Sequence, residues 1–378
     1  MLSASEKKRY QRQIHLEGFG EVSQEKLLNA RVLVIGAGAL GCPALTYLAV
    51  AGVGTLGIVD NDAVELSNLH RQSLYTTDDC GKPKVHVAKE RLSAMNPEII
   101  INTYQTYLSP ENVMELISGY DVIVDGTDNF QARYLINDAC VLAGKPNVHG
   151  SVVRFSGTLS VFNYHDSHGN TGPNYRDLFP VPPTPEEAPS CAEAGVIGVI
   201  PAIIGSMQAM ETIKLITGVG EVASGKFLQL NALSNSQQTL YFDKDPLNPL
   251  NNASENFIFE TDYATFCHQK KQLMKSITVT ELKALKDQGA NFQLIDVRET
   301  YEHDICDIGG ELIPMNEVPN SVDKISKDKQ VVVHCRSGKR SGNVINFLED
   351  NYGFTNLYNL EGGILAWAGQ IDPTMEQY

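Results

Sequence analysis

Apolar residues gather in short runs broken by polar, glycine-rich punctuation. Arg31-Val-Leu-Val-Ile-Gly36 ends in glycines, and a small-residue stretch runs from Leu40 to about Ala51. A second apolar run, Thr55 to Val59, stops at Asp60. Short apolar runs alternating with helical stretches predict strand–turn–helix–strand, the first half of a parallel α/β sheet. A helical pattern from Lys84 to Met95 ends at Asn96-Pro97, because a residue before proline avoids the helical region. Glu98 to Tyr104 and Asp121 to Asp125 read as two further strands, the second followed by Gly126-Thr127-Asp128-Asn129. Polar groups just after such runs lie at the carboxyl ends of parallel strands, where ligands bind in open α/β sheets.

Periodicity fades over 163–190, read as a loop holding six of the seventeen prolines. Cys191 closes it. The apolar run from Gly195 to Met210 is short of the roughly 20 residues a bilayer needs, contains Pro201, and reads as a buried helix. Asp245-Pro-Leu-Asn-Pro-Leu-Asn-Asn252 is turn-rich, so 243–275 reads as a linker. A new α/β pattern follows, with strands at Leu294–Val297 and Gln330–His334 and a helix from Ser341 to Asn351. The expected organisation is α/β throughout: a Rossmann-like open sheet in 1–242, the linker, and a small α/β domain in 276–378.

Composition narrows the function classes. In 378 residues, 30 Lys+Arg stand against 45 Asp+Glu, a net charge of −15. That argues against nucleic acid or an anionic membrane as a general partner, since both need a basic face. The N-terminal stretch has no apolar core of a secretory signal. Seven scattered cysteines include no Cys-x-x-Cys pair, which points to reduced thiols and a cytoplasmic setting.

Two stretches carry candidate chemistry. Gly36-Ala37-Gly38-Ala39-Leu40-Gly41 fits G-x-G-x-x-G between a strand and a helix, and Asp60 follows about twenty residues on, where an acid can bind ribose hydroxyls. Alone this means a nucleotide, and an NAD-dependent dehydrogenase is its ordinary reading. Ser67-Asn68-Leu69-His70-Arg71-Gln72, Gly81-Lys82-Pro83-Lys84 and Asp128 add cations and a carboxylate. A dinucleotide needs no such set; a triphosphate with Mg²⁺ does. Singly, each residue is ordinary surface or a helix cap, and their joint order carries the inference.

The second stretch, His334-Cys335-Arg336-Ser337-Gly338-Lys339-Arg340-Ser341, lies between a strand and a helix. Backbone N–H groups turned into such a loop, with Arg340 and the helix N-terminus, should lower the Cys335 pKa and hold an anion there. Four residues separate Cys335 from Arg340, where cysteine phosphatases have five; the tighter loop suits a persulfide sulfur.

Residues 1–242 resemble the MoeB/ThiF family, relatives of the ubiquitin-activating enzymes. Arg9-Tyr-Gln-Arg-Gln13, the glycine loop, Asp60-x-Asp62, Ser67 to Gln72, Lys84, Thr127-Asp-Asn129 and Cys191-Ala-Glu-Ala-Gly195 stand in the family's order. The resemblance implies that ATP and Mg²⁺ serve to adenylate the Gly-Gly carboxylate of a ubiquitin-like sulfur carrier. It places Gly36, Gly38, Ala39, Gly41, Asp60, Asp62, Ser67, Asn68, Arg71, Gln72, Lys84, Asp128 and Asn129 at the nucleotide, with Asp128 on Mg²⁺. Arg12 would reach a neighbouring subunit's ATP, which implies a homodimer, and Cys191 would link covalently to the carrier. The bland alternative for Cys191 is a small residue packed at a helix start. Many members hold a structural zinc with two Cys-x-x-Cys pairs. Asn174 and Asp177 take the first pair's place and the second region offers only Cys267, so no structural zinc is expected.

Residues 276–378 resemble the rhodanese domain, through Asp296-Val-Arg298, the Cys335 loop and Leu360-Glu-Gly-Gly-Ile-Leu-Ala-Trp367. The resemblance implies a persulfide on Cys335 loaded by an upstream donor. Fusions of this kind are similar to molybdopterin-synthase adenylyltransferases, with thiamine-thiazole and tRNA-thiolation carriers as alternatives. The rivals are an NAD-dependent oxidoreductase, which leaves Arg71, Lys84, Asp128 and the second domain idle, and a scaffold that binds the carrier without activating it.

Overall fold

The computed structural model describes residues 1–166, 168–183, 195–268 and 274–376. Two compact units are present, Met1–Gln269 and Lys270–Tyr378.

In the first unit the expected strands form β1 (Arg31–Ile35), β2 (Thr55–Val59), β3 (Ile100–Tyr104) and β4 (Val122–Asp125). They pair in parallel in the order β3-β2-β1-β4, so the direction of winding reverses between β1 and β4. The sheet continues through β5 (Asn147–Val153), β6 (Ser156–Phe162), β7 (Lys226–Asn231) and β8 (Ser236–Tyr241), the last three joining antiparallel. Alternation along the strands splits the core in two. Val32, Val34, Leu56, Ile58 and Val124 face helices Gly41–Ala51 and Lys84–Met95, while Leu33, Ile35, Val59 and Ile123 face helices Val113–Ser118 and Phe130–Leu142.

The apolar run at 195–210 forms helix Val199–Thr217, which is long and apolar enough to cross a membrane. It packs as a core helix instead. Ile200, Ile204 and Ala209 are buried, and the buried Gln208 amide donates to the Asp125 and Val148 carbonyls at 2.7 and 3.0 Å.

The segment read as a linker is not one over most of its length. Ile258 and Tyr263 are buried in the first unit's core, and Tyr263 Oη donates to Asp138 at 2.8 Å. Turn-rich composition is shared by linkers and by straps that bond through their turns, and 243–268 is a strap. The 163–190 loop likewise contains a short helix, Tyr175–Leu178, capped by the Asn174 side chain. Cys191 lies outside the described residues.

The second unit is a five-stranded parallel sheet. Its strands β9 (Ser276–Ile277), β10 (Phe292–Asp296), β11 (Glu311–Leu312), β12 (Gln330–His334) and β13 (Leu357–Leu360) lie in the order β11-β10-β12-β13-β9. Four residues separate the central strand β12 from helix Lys339–Tyr352, which sets the Cys335 loop at a strand's carboxyl end.

Candidate functional site

A cavity of about 740 Å³ opens at the carboxyl ends of β1, β2 and β4. It is lined by Gly36, Gly38, Ala39, Asp60, Asp62, Arg71, Gln72, Lys84, Asp128 and Asn129. Each glycine of the first turn has its own reason. Gly36 has φ +95°, and a Cβ there would stand 2.7 Å from the Gly126 carbonyl oxygen. A Cβ on Gly41 would stand 1.9 Å from the Gly36 oxygen, so Gly41 packs helix on strand and does not line the cavity. A Cβ on Gly38 would meet only Gln72 Nε2, at 3.7 Å. Packing therefore does not demand glycine at 38, and the missing side chain leaves that wall of the cavity open.

Asp60 braces this turn, accepting from the Ala37 and Asp62 N–H groups at 2.8 Å each, and Tyr75 Oη donates to the Ala37 carbonyl at 2.7 Å. Burial pushes the Asp60 carboxyl up, with Lys84 and the two N–H groups opposing. Lys84 is buried with Nζ 2.7 Å from Asp62, and Arg71 Nη1 donates to the Ser67 carbonyl at 3.0 Å. The exposed Asp128 follows β4, and Asn129 caps helix Phe130–Leu142.

Not every expected residue reaches the cavity. Ser67 Oγ donates to Glu65 and Asn68 Oδ1 accepts from the Glu65 N–H, so these two shape the turn before Arg71 rather than line the site. Arg12 is exposed and does not line its own chain's cavity. The structure adds Arg133 and the stretches Thr106–Pro110 and Thr261–Tyr263. Arg133 is buried, lies over Phe130, and its Nε meets no partner among the described residues; Gln72 Oε1 is orphaned in the same way. Asn129 and Arg133, four apart, share a helix face, a spacing visible in the sequence.

Where Asn174 and Asp177 stand in place of a cysteine pair, the structure has a hydrogen-bonded clip. Asp177 Oδ1 accepts from the Asp245 N–H at 2.9 Å and from Asn248 Nδ2 at 2.6 Å, and Asn248 Nδ2 also donates to Asn174 Oδ1 at 3.1 Å. Asn174-x-x-Asp177 thus faces Asp245-x-x-Asn248, and not Cys267 as read from sequence. Amide donors aimed at carboxylate oxygen make a direct tether, not a thiolate tetrahedron.

In the second unit Cys335 is 1% exposed. Burial alone would raise its thiol. The Ser341 hydroxyl, 3.4 Å from Sγ, and the N–H groups of Ser341, Ser337 and Gly338 outweigh it, and the net shift is downward. Burial instead pushes Cys42 up to about 12, Cys267 up to about 11 and Cys140 upward, which marks them as inert. Arg340 was expected to act on the thiol. Its guanidinium is engaged in a bidentate pair with Glu302, both bonds 2.6 Å, so it braces the start of the helix. The Gly-Gly stretch is a second brace: Gly362 and Gly363 have φ +69° and +57°, and the Ile364 and Leu365 N–H groups donate to the Cys335 and Arg336 carbonyls.

The first unit has a glycine turn with cations and an exposed carboxylate in one cavity, and the second has a loop that lowers a thiol; both units match known proteins. Residues 10–250 match the ThiF family and 278–370 the rhodanese-like domain. The chain belongs to the ThiF family. It is 44% identical to the probable adenylyltransferase/sulfurtransferase MoeZ of Mycobacterium tuberculosis, over 100% of this chain and 96% of that protein. It is 48% identical to the sulfur carrier protein adenylyltransferase of Thermus thermophilus, over 68% of this chain and 96% of that protein. The fold resembles the crystal structure of Escherichia coli MccB with ATP, with TM-score 0.56 and 23% identity over 64% of this chain and 74% of that one. This ThiF-family member, with its rhodanese-like domain, has the two-domain organisation of an adenylyltransferase/sulfurtransferase enzyme.

Proposed function

We propose that this enzyme activates the C-terminal carboxylate of a ubiquitin-like sulfur carrier as an acyl-adenylate and converts it to a thiocarboxylate. The observation that carries the reading is the joining, in one chain, of the Gly38–Arg71–Lys84–Asp128 cavity and the lowered Cys335 thiol. Asp60 would bind the ribose, while Arg71 and Lys84 would neutralise phosphate oxygens. Asp128 is the residue that would hold Mg²⁺, whose charge would offset that of the phosphates.

Adenylation needs no side-chain nucleophile. The carrier carboxylate attacks the α-phosphorus and pyrophosphate leaves, so the protein's contribution is positioning and charge neutralisation. Cys335 carries a sulfane sulfur taken from a persulfide donor. That sulfur replaces the adenylate at the carbonyl carbon, AMP leaves, and a thiol reduces the remaining S–S bond to free the thiocarboxylate. Tethering the two units raises the effective concentration for this second step.

Molybdopterin synthesis is the pathway we favour, on the likeness of the N-terminal half to MoeB. Its exposure, away from its own cavity, supports Arg12 acting across a homodimer. The cytoplasm is the proposed setting.

The test is incubation with Mg-ATP and candidate Gly-Gly carriers, read by intact mass. A carrier-AMP adduct from one carrier, and none with NAD in place of ATP, is the expected result. No adduct from any carrier, with the protein folded, would favour the scaffold reading.

A further inference from the structure

The cavity has an apolar end. Ile35, Val59, Leu108, Leu135 and Tyr263 line it and also pack in one hydrophobic cluster. A flat, apolar nucleobase suits such a slot, with the glycine turn and the cations left for the phosphates. The wall beside it is formed by Thr261, Asp262 and Tyr263. These residues come from the strap that runs from the adenylation unit toward the sulfurtransferase unit.

The strap is held at both ends. Its start is bound by the clip of Asn174 and Asp177 with Asp245 and Asn248. Near its end, Tyr263 Oη donates to Asp138 Oδ2 at 2.8 Å, and Arg176 donates to the same carboxylate at 2.7 Å. Arg176 also lies 4.8 Å from the Phe266 ring centroid. Asp138 belongs to helix Phe130–Leu142, whose cap, Asn129, is itself in the cavity wall. The helix begun at Tyr263 runs to His268, beside the boundary between the units.

We propose that Thr261, Asp262 and Tyr263 are part of the nucleotide site, so that nucleotide occupancy firms the segment from which the sulfurtransferase unit departs. The proposal rests on reading the cavity as an ATP site. A ligand touching one wall segment stabilises it against local opening, and by linkage a loosened segment weakens the ligand. The tether's anchoring point is then firmest while nucleotide is bound.

Hydrogen–deuterium exchange of the full chain, with and without Mg²⁺ and the non-hydrolysable α,β-methylene ATP, tests this. Exchange should slow several-fold both in the glycine turn, 36–40, and in 257–268. The double variant Thr261→Ala/Asp262→Ala should raise the Kd of the analogue about five- to ten-fold. Glu260→Ala, exposed on the same strap and outside the cavity wall, should leave the Kd unchanged. Protection at 36–40 with none at 257–268 overturns the proposal and leaves the ATP reading standing. So does a double variant that binds like the wild type. No protection at either segment removes the ATP reading itself.

Discussion

His334 stands directly before Cys335, fully buried; neither ring nitrogen makes a hydrogen bond among the described residues, and Nδ1 lies 3.9 Å from Asp296 Oδ1. Its pKa is pushed down to about 4, first by burial, with the Asp296 carboxylate opposing. An unfolded histidine titrates near about 6.5. Between these values the unfolded chain binds a proton that the native one refuses. Stability is therefore fully present above pH 6.5 and drains away as pH falls toward 4. The full swing is on the order of 3 kcal/mol. Calorimetry should show the second unit's melting midpoint falling over this range, and His334→Leu should flatten the fall. Near neutral pH the substitution should be neutral or stabilising, because an orphaned imidazole has no hydrogen bond to lose. A variant with the wild-type slope would move the acid sensitivity to another group, such as Asp296.

At the scale of elements, the strap decides how the adenylation unit is closed. Asn248→Ala removes the donor shared by Asp177 and Asn174 and leaves part of a mostly buried network unsatisfied. The expected cost is about 1–3 kcal/mol, or roughly 2–4 °C in melting midpoint per kcal/mol for a unit of this size. A zinc chelator should leave the wild-type midpoint unchanged, since hydrogen bonds and not thiolates make the tether. A large chelator-induced drop would reinstate a metal at this place. The turn-rich sequence of 243–252 shows where such turns fall, yet it cannot say whether their polar groups bond to solvent or to a neighbour. That choice depends on Asn174 and Asp177, about seventy residues away in sequence.

At the scale of the molecule, the two units should fail separately. Asp128→Ala should nearly abolish carrier-dependent ATP–pyrophosphate exchange, since loss of charge stabilisation costs several kcal/mol in the transition state. Thiosulfate sulfurtransfer should persist. Cys335→Ser should show the reverse: carrier-AMP still forms, but no thiocarboxylate appears from thiosulfate, because a serine oxygen carries no sulfane sulfur. Intact-mass analysis of the carrier reads both. Wild-type thiocarboxylate from Cys335→Ser, with no other sulfide present, would uncouple the second unit from the first unit's chemistry.

Local signals determined much of this protein. The runs ending at Gly36, Asp60 and Asp125 became parallel strands because continuous apolar stretches suit a sheet buried on both faces. Motifs at strand ends placed most of the nucleotide cavity, and the residues flanking Cys335 placed the thiolate loop, because each is built from neighbours in sequence. The antiparallel half of the sheet was not legible in the same way. β8 is exposed along its whole length and carries no apolar run, so only pairing with β7 makes it a strand. Long-range partners were decided by the tertiary structure alone. Arg340 pairs with Glu302, Asn248 with Asp177, and Tyr263 with Asp138, each across 38 to 125 positions. A side chain's partner is set by where the folded backbone delivers it, and composition and spacing describe only its own stretch of chain.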